Sequence, residues 1–179
     1  VSNGEGLRLE APDGRAVVAE YMKVAKQETG ISYGLDAGTG APGYMSPATP
    51  GEMNGAAFAE RVKDTKFDLH RGLYDAPFTV TVSSVTPGSS IAYTRDGSEP
   101  SASHGTVVPP ADSNATGRAT VSITTTTTLR AIAFKGGSLP TNVDTHTYLF
   151  PGDAIRQPAS PAGFPSSLGV FTGVNRGPV

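Results

Sequence analysis

The sequence predicts an all-β chain, and three observations carry that prediction. Short apolar runs alternate with polar residues at a period of two, turns of Gly, Pro, Asp and Ser separate them, and helical periodicity is almost absent. With 22 glycines and 15 prolines in 179 residues, the composition is loop-rich but below the share that marks disorder. Six or seven short strands at regular intervals over residues 65–150 are enough to close an antiparallel β-sandwich of immunoglobulin type. Before it, residues 1–55 supply only a partial β-sandwich, and after it residues 151–179 form a Pro/Gly/Ser-rich linker or extended tail.

In order, Leu7-Arg8-Leu9-Glu10 and Val17-Val18-Ala19-Glu20-Tyr21 flank the turn Ala11-Pro12-Asp13-Gly14 and form a hairpin. The polar segment 22–28 follows, then a third short strand at Ile31-Ser32-Tyr33. Residues 35–55 have loop composition. The connector 56–64 has the composition for one helical turn and is too short to be more. Lys66-Phe67-Asp68-Leu69 alternates, 72–77 is a loop, and Phe78, Val80 and Val82 share one face with Thr79, Thr81 and Ser83 on the other.

The clearest strand and turn lie at Ile91-Ala92-Tyr93-Thr94-Arg95-Asp96-Gly97-Ser98-Glu99-Pro100. Ile91 and Tyr93 point to one side of an extended backbone, Ala92 and Thr94 to the other. Gly97 can take the positive φ of a tight turn, Asp96 can accept the N–H of Ser98, and Pro100 delays any return to a ladder. Asp96, Gly97, Ser98 and Pro100 are therefore a structural turn motif; Asp-Gly-Ser-Glu offers too few oxygen ligands for a calcium loop. Residues 101–117 are a long irregular connection, with at most a short edge strand around 106–108, since Pro109-Pro110 forbids ladder donation there. Ala119, Val121 and Ile123 alternate again, the threonine run 124–128 leads into Leu129-Arg130-Ala131-Ile132-Ala133-Phe134, and 143–150 is a last strand whose phase the residues leave open and which can accommodate a bulge.

Two resemblances follow. Phe67, Gly72-Leu73-Tyr74, Ala76-Pro77-Phe78, the 91–100 motif, Thr127-Thr128-Leu129-Arg130-Ala131-Ile132-Ala133 and Thr145-His146-Thr147-Tyr148 resemble the C-terminal domain of chitobiase and β-hexosaminidase. This implies a non-catalytic immunoglobulin-like module of larger extracellular proteins. Residues 4–55, with Leu-Arg-Leu, Pro-Asp-Gly, Ile31-Ser32-Tyr33-Gly34 and Thr49-Pro50-Gly51-Glu52-Met53-Asn54, resemble the closing half of a bacterial lamin-tail-like domain. The pairing is similar to very large planctomycete-type bacterial surface proteins, and implies an extracellular or cell-surface location.

The chemistry-bearing residues exclude most activities. Net charge is −2 with 17% charged residues, which gives no electrostatic reason for nucleic acid or an anionic membrane. Cysteine is absent, so disulfides and thiolate metal sites are excluded. No apolar run spans a bilayer, and a start at Val1 without a leader suggests a piece of a longer polypeptide. His70, His104 and His146 are scattered; Asp144 and His146 share strand parity, but two ligands do not make a metal site and an exposed strand face explains them. There is no Gly-x-Ser-x-Gly elbow, and no carboxyl pair is evidently fixed across a cleft. Catalytic, metal and cofactor-binding residues are accordingly none, and the chain is expected not to be an enzyme. The expected role is a structural spacer or accessory module whose partners are neighbouring domains of the same polypeptide. The alternatives are a carbohydrate-binding module, with Tyr33, Tyr44 and Tyr74 as glycan contacts and a polysaccharide as partner, and a fragment of an enzyme whose active domain lies elsewhere.

Overall fold

The computed structural model describes residues 6–21 and 30–156. The polar segment 22–28 and the tail beyond residue 156 lie outside the described residues.

The first hairpin pairs β1 (Leu7–Glu10) with β2 (Val17–Tyr21). It closes over a turn in which Gly14 adopts φ 68°, Gly14 N donates to Ala11 O at 2.8 Å, and Asp13 Oδ1 accepts Arg15 N at 3.1 Å. Leu7, Leu9, Val17 and Val18 all remain exposed. The second hairpin pairs β3 (Ser32–Leu35) with β4 (Pro42–Met45), where the sequence pattern gave only a loop after residue 35. Pro42-Gly43-Tyr44-Met45 lacks the β-branched residues that signal a strand. Its pairing depends on a turn closed by Asp36, and on Gly43, where a Cβ would stand 2.7 Å from the carbonyl oxygen of Phe58.

The segment leading into the sandwich is extended rather than helical. Phe58 bridges to Tyr44, β5 (Glu60–Arg61) pairs with residues 138–139, and Val62 is 3% exposed in the core. These tertiary hydrogen bonds override the modest helix preference of Ala-Ala-Phe-Ala-Glu.

Beyond it, two sheets face each other. One contains β6 (Lys66–Phe67), β8 (Phe78–Pro87) and β11 (Thr116–Ile123), in the order β11-β8-β6. The other orders β10 (Thr106–Val108), β9 (Ser90–Thr94), β12 (Thr127–Phe134), β14 (Asp144–Leu149) and β7 (Gly72–Leu73) as β10-β9-β12-β14-β7. Pairings within both are antiparallel except β14 with β7; β13 (Ser138–Leu139) also runs parallel to β5. The fold is thus an immunoglobulin-like antiparallel β-sandwich. The core is the inner face of both sheets: Val80, Val82, Ala119, Val121 and Ile123 meet Ile91, Leu129, Ala131, Ala133 and Tyr148. Val80 lies opposite Val121 and Val82 opposite Ala119, so the alternation read in the sequence places the right residues inward.

Four details differ from the pattern. Residues 72–73 are a strand, too short to show a period and paired in parallel with a distant segment. β9 is buried on both sides: Ile91 faces the core as expected, but Ala92 is 0% and Thr94 6% exposed. Its inner position in the sheet sets Ala92 between Val107 and Ile132, whose larger side chains shade it. β14 pairs with β12 in unbroken register, without a bulge. The tail begins with a helical turn, α1 (Pro151–Ile155), held where Thr126 N donates to Asp153 Oδ2 at 3.1 Å.

Candidate functional site: the turn after β9

The Asp-Gly turn forms as its residues dictate. Ser98 N donates to Asp96 Oδ1 at 3.0 Å, Gly97 adopts φ 81°, and the Thr94 hydroxyl donates to Ser98 O at 2.5 Å. Arg130 reaches across from β12 and donates to Gly97 O at 3.1 Å, with Glu99 at 3.8 Å beside it. Pro100 is fully buried and anchors the far side of the turn.

The chain then doubles back through a bridge between Ser101 and His104. His104 Nε2 lies 3.1 Å from Ser98 Oγ, whose hydroxyl also contacts Asp96 Oδ1 at 2.6 Å. Gly105 enters β10 at φ 94°, so close to β9 that a Cβ would stand 2.6 Å from Tyr93 O. Between this turn and the threonines before β12 lies an open groove of about 460 Å³, lined by Tyr93, Asp96, Ser98, His104, Thr106 and Thr125 among others.

An aspartate, a serine and a histidine in one hydrogen-bonded chain invite comparison with a nucleophilic triad, but the order is wrong. In a triad the serine hydroxyl donates to histidine and the carboxylate holds the opposite ring nitrogen. Here the carboxylate takes the serine proton directly, and histidine donates to the serine oxygen. Hydrogen bonds from the Ser98 hydroxyl and backbone hold the Asp96 carboxyl below its usual range, so it stays an anionic acceptor. The serine has a proton acceptor too weak to activate it, and the trio orders a loop.

Tyr33 and Tyr44 are brought together as a cross-strand pair, ring centroids 5.2 Å apart at 72°, with the Arg61 guanidinium 5.7 Å from the Tyr44 centroid. Tyr74 is elsewhere: its ring packs on Phe78 at 4.1 Å and its hydroxyl donates to His70 O at 2.6 Å. Asp144 and His146 do share a face, but it is the inner one, where the expectation was an exposed one. Asp144 accepts from Thr65 Oγ1 and, at 3.0 Å, from Asn142 Nδ2. His146 stacks on Phe67 with centroids 4.0 Å apart, and Tyr148 O–H donates to Leu69 O at 3.0 Å, leaving its oxygen 3.3 Å from His146 Nδ1. Among the described residues no group of three or more His, Cys, Asp or Glu gathers. Sequence reasoning found the turn and missed the groove's other wall: His104 and Thr106 reach it through the Ser101–His104 bridge and the β10–β9 pairing, and the 125–127 threonines through the β12–β9 pairing and the Asp96–Thr128 bridge.

Residues 69–145 match the family model of the chitobiase/beta-hexosaminidase C-terminal domain. The match runs from just before β7 into β14 and contains the whole groove. Such a domain is a non-catalytic C-terminal module, compatible with an accessory role. No curated protein and no solved structure matches the chain. Among the described residues no helix is long and apolar enough to cross a membrane.

Proposed function

We propose that this chain is a non-catalytic structural spacer within a large secreted or cell-surface bacterial multidomain protein, holding its neighbours in a fixed orientation. Its units are residues 1–55, the closing part of a lamin-tail-like domain, and the chitobiase/hexosaminidase-type sandwich at 65–150; its partners are the adjoining domains of the same polypeptide.

The observation that carries this reading is the segment joining the two. Ala57 N donates to Asp36 Oδ2 at 2.8 Å, and Phe58 exchanges two 2.8 Å backbone hydrogen bonds with Tyr44. On the sandwich side Val62 N donates to Leu139 O at 2.9 Å, Lys63 N to Thr86 Oγ1 at 2.7 Å, and Ser84 Oγ to Lys63 O at 2.6 Å. A flexible tether needs none of these contacts, whereas a spacer that transmits orientation needs all of them.

Spin labels at Thr39 and Val85 test the reading. A narrow distance distribution, broadened when Gly-Ser pairs are inserted after Gly55, is expected; an equally broad distribution in both proteins overturns it. Turnover assays with aryl-glycoside and ester substrates should stay at background, and activity abolished by a single substitution would contradict the non-catalytic role.

A further inference from the structure

We propose that the groove between the Asp96 turn and the threonines preceding β12 binds a neutral oligosaccharide. This site is separate from the spacer role, which survives its failure.

The groups that line the groove divide into those already engaged and those left free. Asp96 uses Oδ1 for the turn, and Oδ2 receives no hydrogen bond from another described residue. His104 uses Nε2, leaving Nδ1 free, and Arg95 and the hydroxyls of Thr106 and Thr125 have no partner among the described residues. One wall thus offers an anionic acceptor beside a guanidinium donor, and the other offers hydroxyls that both donate and accept. Tyr93, half-buried against the core, also lines the groove.

A ligand dense in hydroxyl groups satisfies this set. A purely apolar ligand would strand the polar groups, and with Asp96 and Arg95 side by side the groove has no excess of either sign to select a strongly charged one. The groove, about 460 Å³, is shallow and open to solvent, so a ligand would lie along it rather than be enclosed. The walls are also set in advance: Asp96 Oδ1 fixes the turn and the Ser98–His104 contact fixes the returning loop, so little ordering accompanies binding. Tyr44, edge to face with Tyr33, lines a separate groove of about 460 Å³ with Arg61 and Val85, while Tyr74 is stacked on Phe78.

The test is titration of the whole chain with chitotriose and cellotriose, followed by amide chemical shifts, with glycerol as control. Saturable shifts at residues 94–98, 104–106 and 125–127, with Kd on the order of 1 mM, are expected for at least one sugar. Asp96→Asn keeps an Asx-turn acceptor while removing the charge, and should weaken binding roughly tenfold; His104→Ala should weaken it several-fold. The proposal is overturned by silence at sugar concentrations on the order of 10 mM, by equal shifts with glycerol, by shifts confined to the Tyr33–Tyr44 pair, or by undiminished binding in folded Asp96→Asn.

Discussion

Replacing Val80 with Asp tests the packing logic at its centre. Val80 is 0% exposed and sits opposite Val121, which is 2% exposed, in the inner face of the three-stranded sheet. The substitution forfeits about 1.5–3 kcal/mol of apolar burial and strands a carboxylate where only apolar side chains surround it, adding several kcal/mol. A domain of this size has a total stability on the order of 5–10 kcal/mol, so Val80→Asp should leave the sandwich unfolded at room temperature. Val80→Ala should unfold cooperatively at lower denaturant, by about 2–3 kcal/mol. Thr79→Asp, one residue away on the exposed face beside Ser122, should lie within about 0.5 kcal/mol of the parent. Thr81 is a poorer control, because its N–H already donates to Asp68 Oδ1 at 2.7 Å and a new carboxylate would meet that charge. Urea melts followed by circular dichroism decide the matter: equal losses for Val80→Asp and Thr79→Asp, or a folded Val80→Asp, would refute the assignment of faces.

Three further outcomes follow from local structure. Burial pushes the His146 imidazole below its ordinary value of 6.5, against the opposing pull of the Leu69 carbonyl; the folded chain therefore binds this proton less readily than the unfolded chain. Stability should be full above about pH 6.5, fall as pH drops from there toward the lowered folded value, and His146→Phe should flatten that slope; an unchanged slope contradicts the assignment. Gly105→Ala should destabilise the sandwich by about 1–3 kcal/mol, since φ 94° and the nearby Tyr93 carbonyl both oppose a side chain, and a parent-like melting temperature would show that the loop yields. Hydrogen bonds from Ala57 and Thr39 lower the Asp36 carboxyl to about 2, so its support of the joint is present above its unfolded value of 3.8 and lost as pH falls through about 2; Asp36→Ala should speed amide exchange at Ala57 at neutral pH, and unchanged exchange would remove Asp36 from the joint.

Legibility in the sequence followed the range of the interactions. The inward set Val80, Val82, Ala119, Val121 and Ile123 was readable because strand parity is local and each residue faces one sheet interior. The Asp96 turn was readable for the same reason: donor and acceptor lie two residues apart. β4, β5 and β7 were not, because a strand of two to four residues has no period, and each owes its conformation to a partner chosen by the fold, such as Phe58 for Tyr44 or Leu149 for Leu73. The two-sided burial of Ala92 depends on β9 lying inside its sheet, which strand order alone decides. The groove needed the Ser101–His104 return to bring His104 back to Ser98, a contact between residues with no shared pattern.

Residual dipolar couplings in a weakly aligned sample test the fixed joint most directly. The account predicts that amides of β3 and β4 and amides of the sandwich fit one alignment tensor, with the segment between them fitting it too. Two tensors of different magnitude, with averaged couplings from residues 55–64, would contradict it.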